Sequence, residues 1–589
     1  MKGQVQKESI LFALAFLFSF SSVLTLYSDN FFTVAFEQVL TSTAATLVFS
    51  LSLYFFLSIY FKCLASRISY FVLILFVSLF FLGGELFHRL ISVLVGYIIP
   101  YSSVFLALSS GSLIAIIYRF KNLTSKRDRA ITYLLFGPVF IVSLVNSIAL
   151  IFLDSRSTFF NNSYFIFSIL VLIGGWHFFR EFKMPLDATI GALIILNIIF
   201  GFVPFGNICY SCLCKKQMLA SVNPSISILA DNPVSTAKPV SPTQKPDIYW
   251  IILDGYGRSD ILRKYNYDNT NFIQWLTKTG FWVGSKSNSN YMRTMTSLVS
   301  ELNMSFLDPK FYKKPLWEQH KSVKDKINNS KVSTFLYSQG YKTVAFSVGL
   351  EYLEMTHYSR FIRKNEKELS SFELQFYQST IFSRIETLLT QKDAFSPHRD
   401  RFNLIWKSIP YKEFDHNPVF VVAHVVSPHP PFVYNSLGGE ILPDYPYCLY
   451  DADDLRDSFN VTPEEYMDGY LKQVTYVNSV VREKIEKLLS QQNPPVIIIQ
   501  ADHGPGANTS FRDINKTNLV ERFGIINAVY LPSPFQKKIN LPQNSTPINT
   551  FPAVFNAIFE TNYPFQPDKS YYTPNKNGLT EEIDITDRL

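Results

Sequence analysis

Seven long apolar segments fill the first third of the chain, and nothing else in the sequence limits the fold as strongly. They span residues 8–27, 37–61, 68–84, 90–118, 130–153, 163–179 and 184–206, with short polar breaks between them. Each runs for about 17–29 residues, long enough for a helix to cross a hydrocarbon core of about 30 Å. Gly83, Gly84, Glu85 and His88 break the third and fourth only weakly, so five or six spans also satisfy the pattern. With 54 Phe and 33 Tyr against 17% charged residues, the composition suits a chain that lies partly in lipid.

Basic residues set the orientation. In a seven-span arrangement Lys2, Lys7, Lys62, Arg67, Arg119, Lys121, Lys126, Arg127, Arg129, Arg180 and Lys183 fall on one side, and only Arg89 and Arg156 on the other. Positive loops stay in the cytoplasm, so the N-terminus is expected inside and everything beyond residue 207 outside the cell membrane. The stretch "TLYSDN" is a poor small-residue cleavage site, which favours a retained first span over a removed signal peptide.

The net charge of +7 comes mostly from this topology signal: residues 1–206 hold 13 Lys+Arg and 8 Asp+Glu, leaving 41 against 39 beyond them. The outer part carries no basic run of the kind nucleic acid requires. Cys209, Cys212 and Cys214 follow the last span; C-x2-C-x-C without a fourth ligand nearby points to a local disulfide or free thiols rather than a metal knot. Residues 215–246 are rich in Pro, Ser and Thr and lack apolar periodicity. The expected division is a membrane domain over 1–206, a linker over 207–245 and an extracytoplasmic domain over 246–589.

That domain opens with "PDIYWIILDGYG", a continuous apolar run ending in an acid and glycines, as expected of a strand buried on both faces. Comparable runs are "YKTVAFS" (341–347), "PVFVVAHVVSPH" (418–429), "PPVIIIQADHG" (494–504) and "GIINAVYLP" (524–532). Thr462, Pro463 and Glu465 form a capping box with proline in the first turn, predicting a helix to about Leu489. Its buried stripe would be Tyr466, Tyr470, Val474, Val477, Val481, Ile485 and Leu488. Alternation of this kind predicts an α/β domain with a mostly parallel central sheet, in which ligands bind beyond the carboxyl ends of the strands.

Three of these strands end in groups able to hold a metal or phosphate: Asp254, His429, and the pair Asp502–His503. An Asp-Gly after a strand is commonly a turn, and a lone His after Pro is commonly structural. A parallel sheet would nevertheless bring all three ends to one edge, where two carboxylates and an imidazole suit a divalent cation. A nucleophile is offered by "NYMRTMTSLVSELNM" (290–304). Met295, Leu298, Val299 and Leu302 define a buried helical face, placing Ser297 opposite it, Thr296 on its flank and Thr294 at the helix N-terminus. Thr294 there is either a plain cap or a hydroxyl held in the positive field of the helix end.

In this order the motifs of residues 246–532, above all T-x-x-S at Thr294–Ser297 and "DHG" at 502–504, resemble the alkaline phosphatase superfamily. The likeness is to its sulfatase-like branch, which includes lipoteichoic acid synthases and phosphoethanolamine transferases. The resemblance implies Asp254, Thr294, Asp502 and His503 around one divalent metal ion, manganese or magnesium ahead of zinc, with Thr294 as nucleophile. His429 matches the PH-x-P histidine near the substrate; His424 is a second candidate, weighed against a structural strand histidine. Thr294 stands where formylglycine sulfatases need Cys or Ser, which argues against sulfate-ester hydrolysis. The absence of His after 503 argues against a second metal. The activity implied is transfer of a phosphoglycerol or phosphoethanolamine group from a membrane phospholipid donor, through phospho-threonine, to a surface glycan or lipid acceptor. A hydrolase of the same chemistry and a non-catalytic envelope protein are the alternatives.

Overall fold

The computed structural model describes residues 245–589 except 315, 365–372, 375–376, 378–392, 415–416, 446, 577–578 and 581, together with scattered positions between 23 and 48 and Ile208. Apart from those scattered positions, the seven apolar segments, almost all of the linker, and Cys209, Cys212 and Cys214 lie outside the described residues. Among the described residues no helix is long and apolar enough to cross a membrane. The chain divides into two compact units, Met1–Ser211 with Phe372–Gln391, and Cys212–Ser371 with Lys392–Leu589.

The second unit is built on one seven-stranded sheet. Its strands are β1 (Ile248–Leu253), β2 (Trp282–Val283), β3 (Lys342–Phe346), β4 (Arg360–Ile362), β5 (Val419–Val425), β6 (Val496–Gln500) and β7 (Asn527–Tyr530), in the order β2-β7-β6-β1-β5-β3-β4. Strands β4, β3, β5, β1 and β6 run parallel; β7 and β2 pair antiparallel at one edge. β1, β5 and β6 are buried along their whole length, which is why they read as unbroken apolar runs.

Alternate residues feed two cores. Ile248, Trp250, Ile252, Phe420, Val422, Val496 and Ile498 pack on one face with α1 (Thr294–Asn303), while Tyr249, Ile251, Leu253, Val421, Ala423, Val425, Ile497 and Ile499 pack on the other. The second face is covered by α2 (Ser396–Lys407) and α3 (Pro463–Leu489). α3 has both halves of the Thr462–Glu465 capping box and Pro463 in its first turn, and every residue of the expected stripe is buried.

α1 differs from its expected amphipathic form. Residues 295–303 are all buried, Ser297 and Thr296 among them. Ser297 is tolerated inside because its hydroxyl donates to the carbonyls of Asp502 (2.7 Å) and Tyr291 (3.2 Å), and Thr296 donates to Arg293 (2.9 Å). The 100° wheel identified the apolar side; the side opposite it, where Ser297 lies, is buried as well, with its hydroxyls bonded.

Candidate active site

Parallel pairing of β5, β1 and β6 brings their carboxyl ends to a single edge, and the polar residues after each strand converge there. Asp254 follows β1, His429 follows β5, and Asp502 and His503 follow β6. All are at least nine-tenths buried: Asp254 is 2% exposed, Asp502 and His503 1%, His429 8%. Ligand atoms of Asp254, Asp502 and His503 lie within 4.8 Å of one another.

Thr294 opens α1, whose N-cap is Arg293, and makes no cap of its own. Its hydroxyl lies 3.2 Å from His503 Nε2 instead. His503 Nδ1 donates to the Gly504 carbonyl at 2.9 Å, so the ring proton is on Nδ1 and the Nε2 lone pair faces the site. That lone pair lies 3.3 Å from Asp502 Oδ2 and 3.5 Å from Asp254 Oδ1. No proton separates these three acceptors, so they repel one another unless something positive sits between them.

Each carboxylate is held by one oxygen. Asp254 Oδ2 pairs with His424 Nε2 at 3.0 Å, and Asp502 Oδ1 accepts the Gly255 amide at 3.1 Å. The other oxygens, Asp254 Oδ1 and Asp502 Oδ2, are buried and have no hydrogen-bond donor among the described residues. Buried carboxylate oxygens without donors are costly; a divalent cation satisfies both at once. Two carboxylates, one imidazole and one hydroxyl fit magnesium, manganese or zinc.

Electrostatics follow the same grouping. Burial, the largest influence, pushes the Asp254 carboxyl up, but His429, the His424 hydrogen bond and His503 outweigh it and hold it below the usual carboxylate range. Burial and the Arg522 cation bring His503 below the ordinary imidazole value, against Asp502, Asp254 and Asp451, which keeps it neutral as a ligand must be. For His429 burial works downward, yet Asp254, Asp451, the Pro430 carbonyl and Asp502 raise it above the ordinary value. Its ring lies 6.1 Å from that of His503, centroid to centroid. His424 thus serves the site through Asp254.

The loops are tied from behind by residues that no motif announced. Tyr470 on α3 donates to the Gly255 carbonyl and accepts from the Gly257 amide, both at 2.9 Å, fixing the turn after Asp254. Gln473, three residues on, accepts from Val433 and donates to the carbonyls of Pro428 and His429. Arg522 donates twice to the Met292 carbonyl (2.9 and 2.7 Å) and once to that of Gly504 (3.1 Å), and pairs with Asp451. One guanidinium therefore joins the segment entering Thr294 to the segment leaving His503. Gly504 is required because a Cβ would collide with the Glu521 carbonyl.

A family model described as Sulfatase matches residues 246–558, more than half of the chain. The chain belongs to the sulfatase family. This sulfatase-family protein is accordingly an enzyme of the alkaline phosphatase superfamily. No curated protein sequence matches it. Among solved structures it is similar to the C-terminal periplasmic domain of EcEptC from Escherichia coli, at 13% identity and a TM-score of 0.37 over 60% of this chain and 96% of that one. It is also similar to the integral membrane protein lipooligosaccharide phosphoethanolamine transferase A from Neisseria meningitidis, at 10% identity and a TM-score of 0.34 over 78% and 96% of the two chains.

Proposed function

We propose that the chain moves a phospho head group from a membrane phospholipid to a glycan or lipid of the cell envelope through a phospho-threonine on Thr294. One observation carries this reading. The Thr294 hydroxyl, at the N-terminus of α1, is turned toward His503 within a cluster of buried metal-type donors instead of capping its own helix.

Asp254, Thr294, Asp502 and His503 would hold the metal. A bound divalent cation would supply the charge that lowers the Thr294 hydroxyl pKa and offsets negative charge on the phospho oxygens. Thr294 Oγ, its proton lost to water, bonds to phosphorus as the bond to the diacylglycerol oxygen breaks. His429, its Nδ1 held by the Pro430 carbonyl, gives that leaving oxygen a proton from Nε2. In the second half an acceptor hydroxyl loses its proton to His429, bonds to phosphorus and releases Thr294 Oγ. Apolar segments over 1–206 would hold this domain at the outer leaflet, where the donor arrives by diffusion in the plane.

Intact-mass measurement of the full chain after exposure to phospholipid vesicles and a divalent metal tests the reading. A mass increase equal to one phospho head group, absent in Thr294→Ala, is expected. Release of free head-group phosphate with no product on any added glycan or lipid acceptor would make water the acceptor and the enzyme a hydrolase.

A further inference from the structure

Residues 430–450 leave the site at His429 and return to it at Asp451, the partner of Arg522. Five large hydrophobic side chains are exposed among the described residues of this domain, and three of them lie on this loop: Leu437 (92%), Leu442 (59%) and Tyr450 (41%). Single exposed leucines are ordinary on protein surfaces. Three on one loop rooted in the site are not scattered.

Leu437 is held out by a built tip. Tyr434 bridges Glu440 in antiparallel fashion, and the Ile441 amide donates to the Val433 carbonyl at 2.9 Å. The Asn435 side chain closes the hairpin by accepting the amides of Leu437 and Gly439, both at 2.9 Å. Gly438 has φ +83°, and a Cβ there would meet the Tyr476 ring of α3 at 2.4 Å, so the tip is braced against that helix. Phe432, Val433 and Tyr434 anchor the base in the core. The fold thus orders this tip and leaves its leucine in water, a costly arrangement unless something apolar meets it.

The chemistry of the loop names that partner. Residues 430–450 contain no Lys or Arg, residues 432–439 no charge at all, and Glu440 is paired with Arg399 at 2.9 Å. An uncharged apolar tip fits hydrocarbon rather than a charged polymer. Further along the loop Tyr450 stacks on Phe459 (6.2 Å between centroids, 27°), and Phe459 on Tyr445 (5.4 Å, 20°). Tyrosine rings favour the lipid–water boundary, with the ring in the apolar layer and the hydroxyl in water.

Resting on the reading that the donor is a membrane phospholipid, we propose that this hairpin docks on the outer leaflet. Leu437 and Leu442 enter the acyl boundary, a shallow contact of about 5–10 Å, and Tyr450 lies at head-group depth. The phosphodiester to be cleaved lies at that depth too, so a hairpin with both ends in the site holds the site against the leaflet.

The test uses the full chain reconstituted in phospholipid vesicles, with a fluorophore on Leu437→Cys or Leu442→Cys and spin-labelled lipids as quenchers. Labelled wild type gives the background from the five native cysteines. Tyr337→Cys is the control: Tyr337 is 67% exposed but ends the helix Lys331–Ser338 that leads into β3, at the sheet edge opposite the site. Quenching at 437 and 442 should exceed that at 337 several-fold. Leu437→Asp with Leu442→Asp should lower head-group loading from the vesicles about tenfold or more, with thermal unfolding unchanged. Quenching at 437 no greater than at 337, or full loading by the folded double variant, would overturn the proposal. A label shielded from aqueous iodide yet unquenched by lipid would also overturn it, since a protein surface and not the leaflet would then cover the tip. Quenching without loading from any vesicle would uphold the docking surface and remove the transfer reading.

Discussion

Replacing Arg522 by Met tests how this site is held together. Arg522 is 1% exposed and donates to Met292, Gly504 and Asp451. Burial drives the Asp451 carboxyl up, and Arg522, followed by His429 and His503, more than reverses this, holding it well below the usual carboxylate range. Without the arginine, a carboxylate 5% exposed keeps Tyr466 as its donor and faces the two carbonyls no longer bonded. Breaking a buried pair by removing one partner costs about 3–5 kcal/mol. At about 2 °C per kcal/mol for a large domain, Arg522→Met should lower Tm by about 6–10 °C. Adding Asp451→Asn removes the stranded charge and should recover about 1–3 kcal/mol of that loss. Thermal unfolding of the full chain in detergent, followed by tryptophan fluorescence, reads both numbers, since Trp250 is buried on β1 in the core of the domain. A Tm within about 2 °C of wild type, or no recovery in the double variant, would show that Arg522 is not the tie inferred here.

Three further outcomes follow from the geometry. Thr294→Ala should cut head-group loading at least about a thousandfold, while Thr296→Ala, whose hydroxyl bonds only to Arg293 within its own helix turn, should stay within about twofold; the reverse pattern would place the nucleophile elsewhere. Asp254→Asn should lose divalent-metal binding, measured by metal content after dialysis, because the amide replaces an anionic donor and disturbs the His424 pair; retention at the wild-type level would remove Asp254 from the ligand set. Burial, with the cations Arg401, His429 and Arg399, depresses His398 to about 3. The folded pKa lies below the unfolded one, so its stability contribution is whole above about pH 6.5 and is lost as pH falls toward 3, at up to about 1.4 kcal/mol per pH unit. His398→Phe should flatten the acid limb of the Tm–pH curve; an identical slope would refute the assignment.

How much of this the sequence carried differs from element to element, for physical reasons. β1, β5 and β6 were legible because burial on both faces writes an unbroken apolar run, and α3 because its capping box and stripe are local. β7 was recognisable as a strand, but its antiparallel direction is decided by pairing and has no local signature. β2 and β4, two and three residues long, are too short to leave a pattern. Asp254, Asp502 and His503 each end a buried strand, so strand topology alone could bring them together. Arg522 and Asp451 are 71 residues apart and meet only once the sheet is wound. The polar tip of Tyr470 was hidden inside a stripe read as packing, and Gln473, buried beside it, lay outside that stripe, since a helical wheel of apolar residues says nothing of what a buried hydroxyl or amide bonds.

Charge accounting at the site leads to a last expectation. Asp254 and Asp502 together match a divalent cation, and the Asp451–Arg522 pair cancels itself. His503 is neutral and Arg293 is balanced by Asp454, so the positive charge the mechanism requires is that of His429, protonated to serve as the acid. A single positive charge complements a phosphodiester, which carries one negative charge. A phosphate monoester, with a second pKa near 6, is mostly dianionic above neutrality and brings one charge too many. A small diester should therefore compete with lipid for loading of Thr294 better than the matching monoester at pH 8, by about tenfold for the unmatched charge. The gap should narrow near pH 5.5, where the monoester is mostly a monoanion. Equal competition by the two at pH 8, or a preference for the monoester, would mean that the site carries a further positive charge.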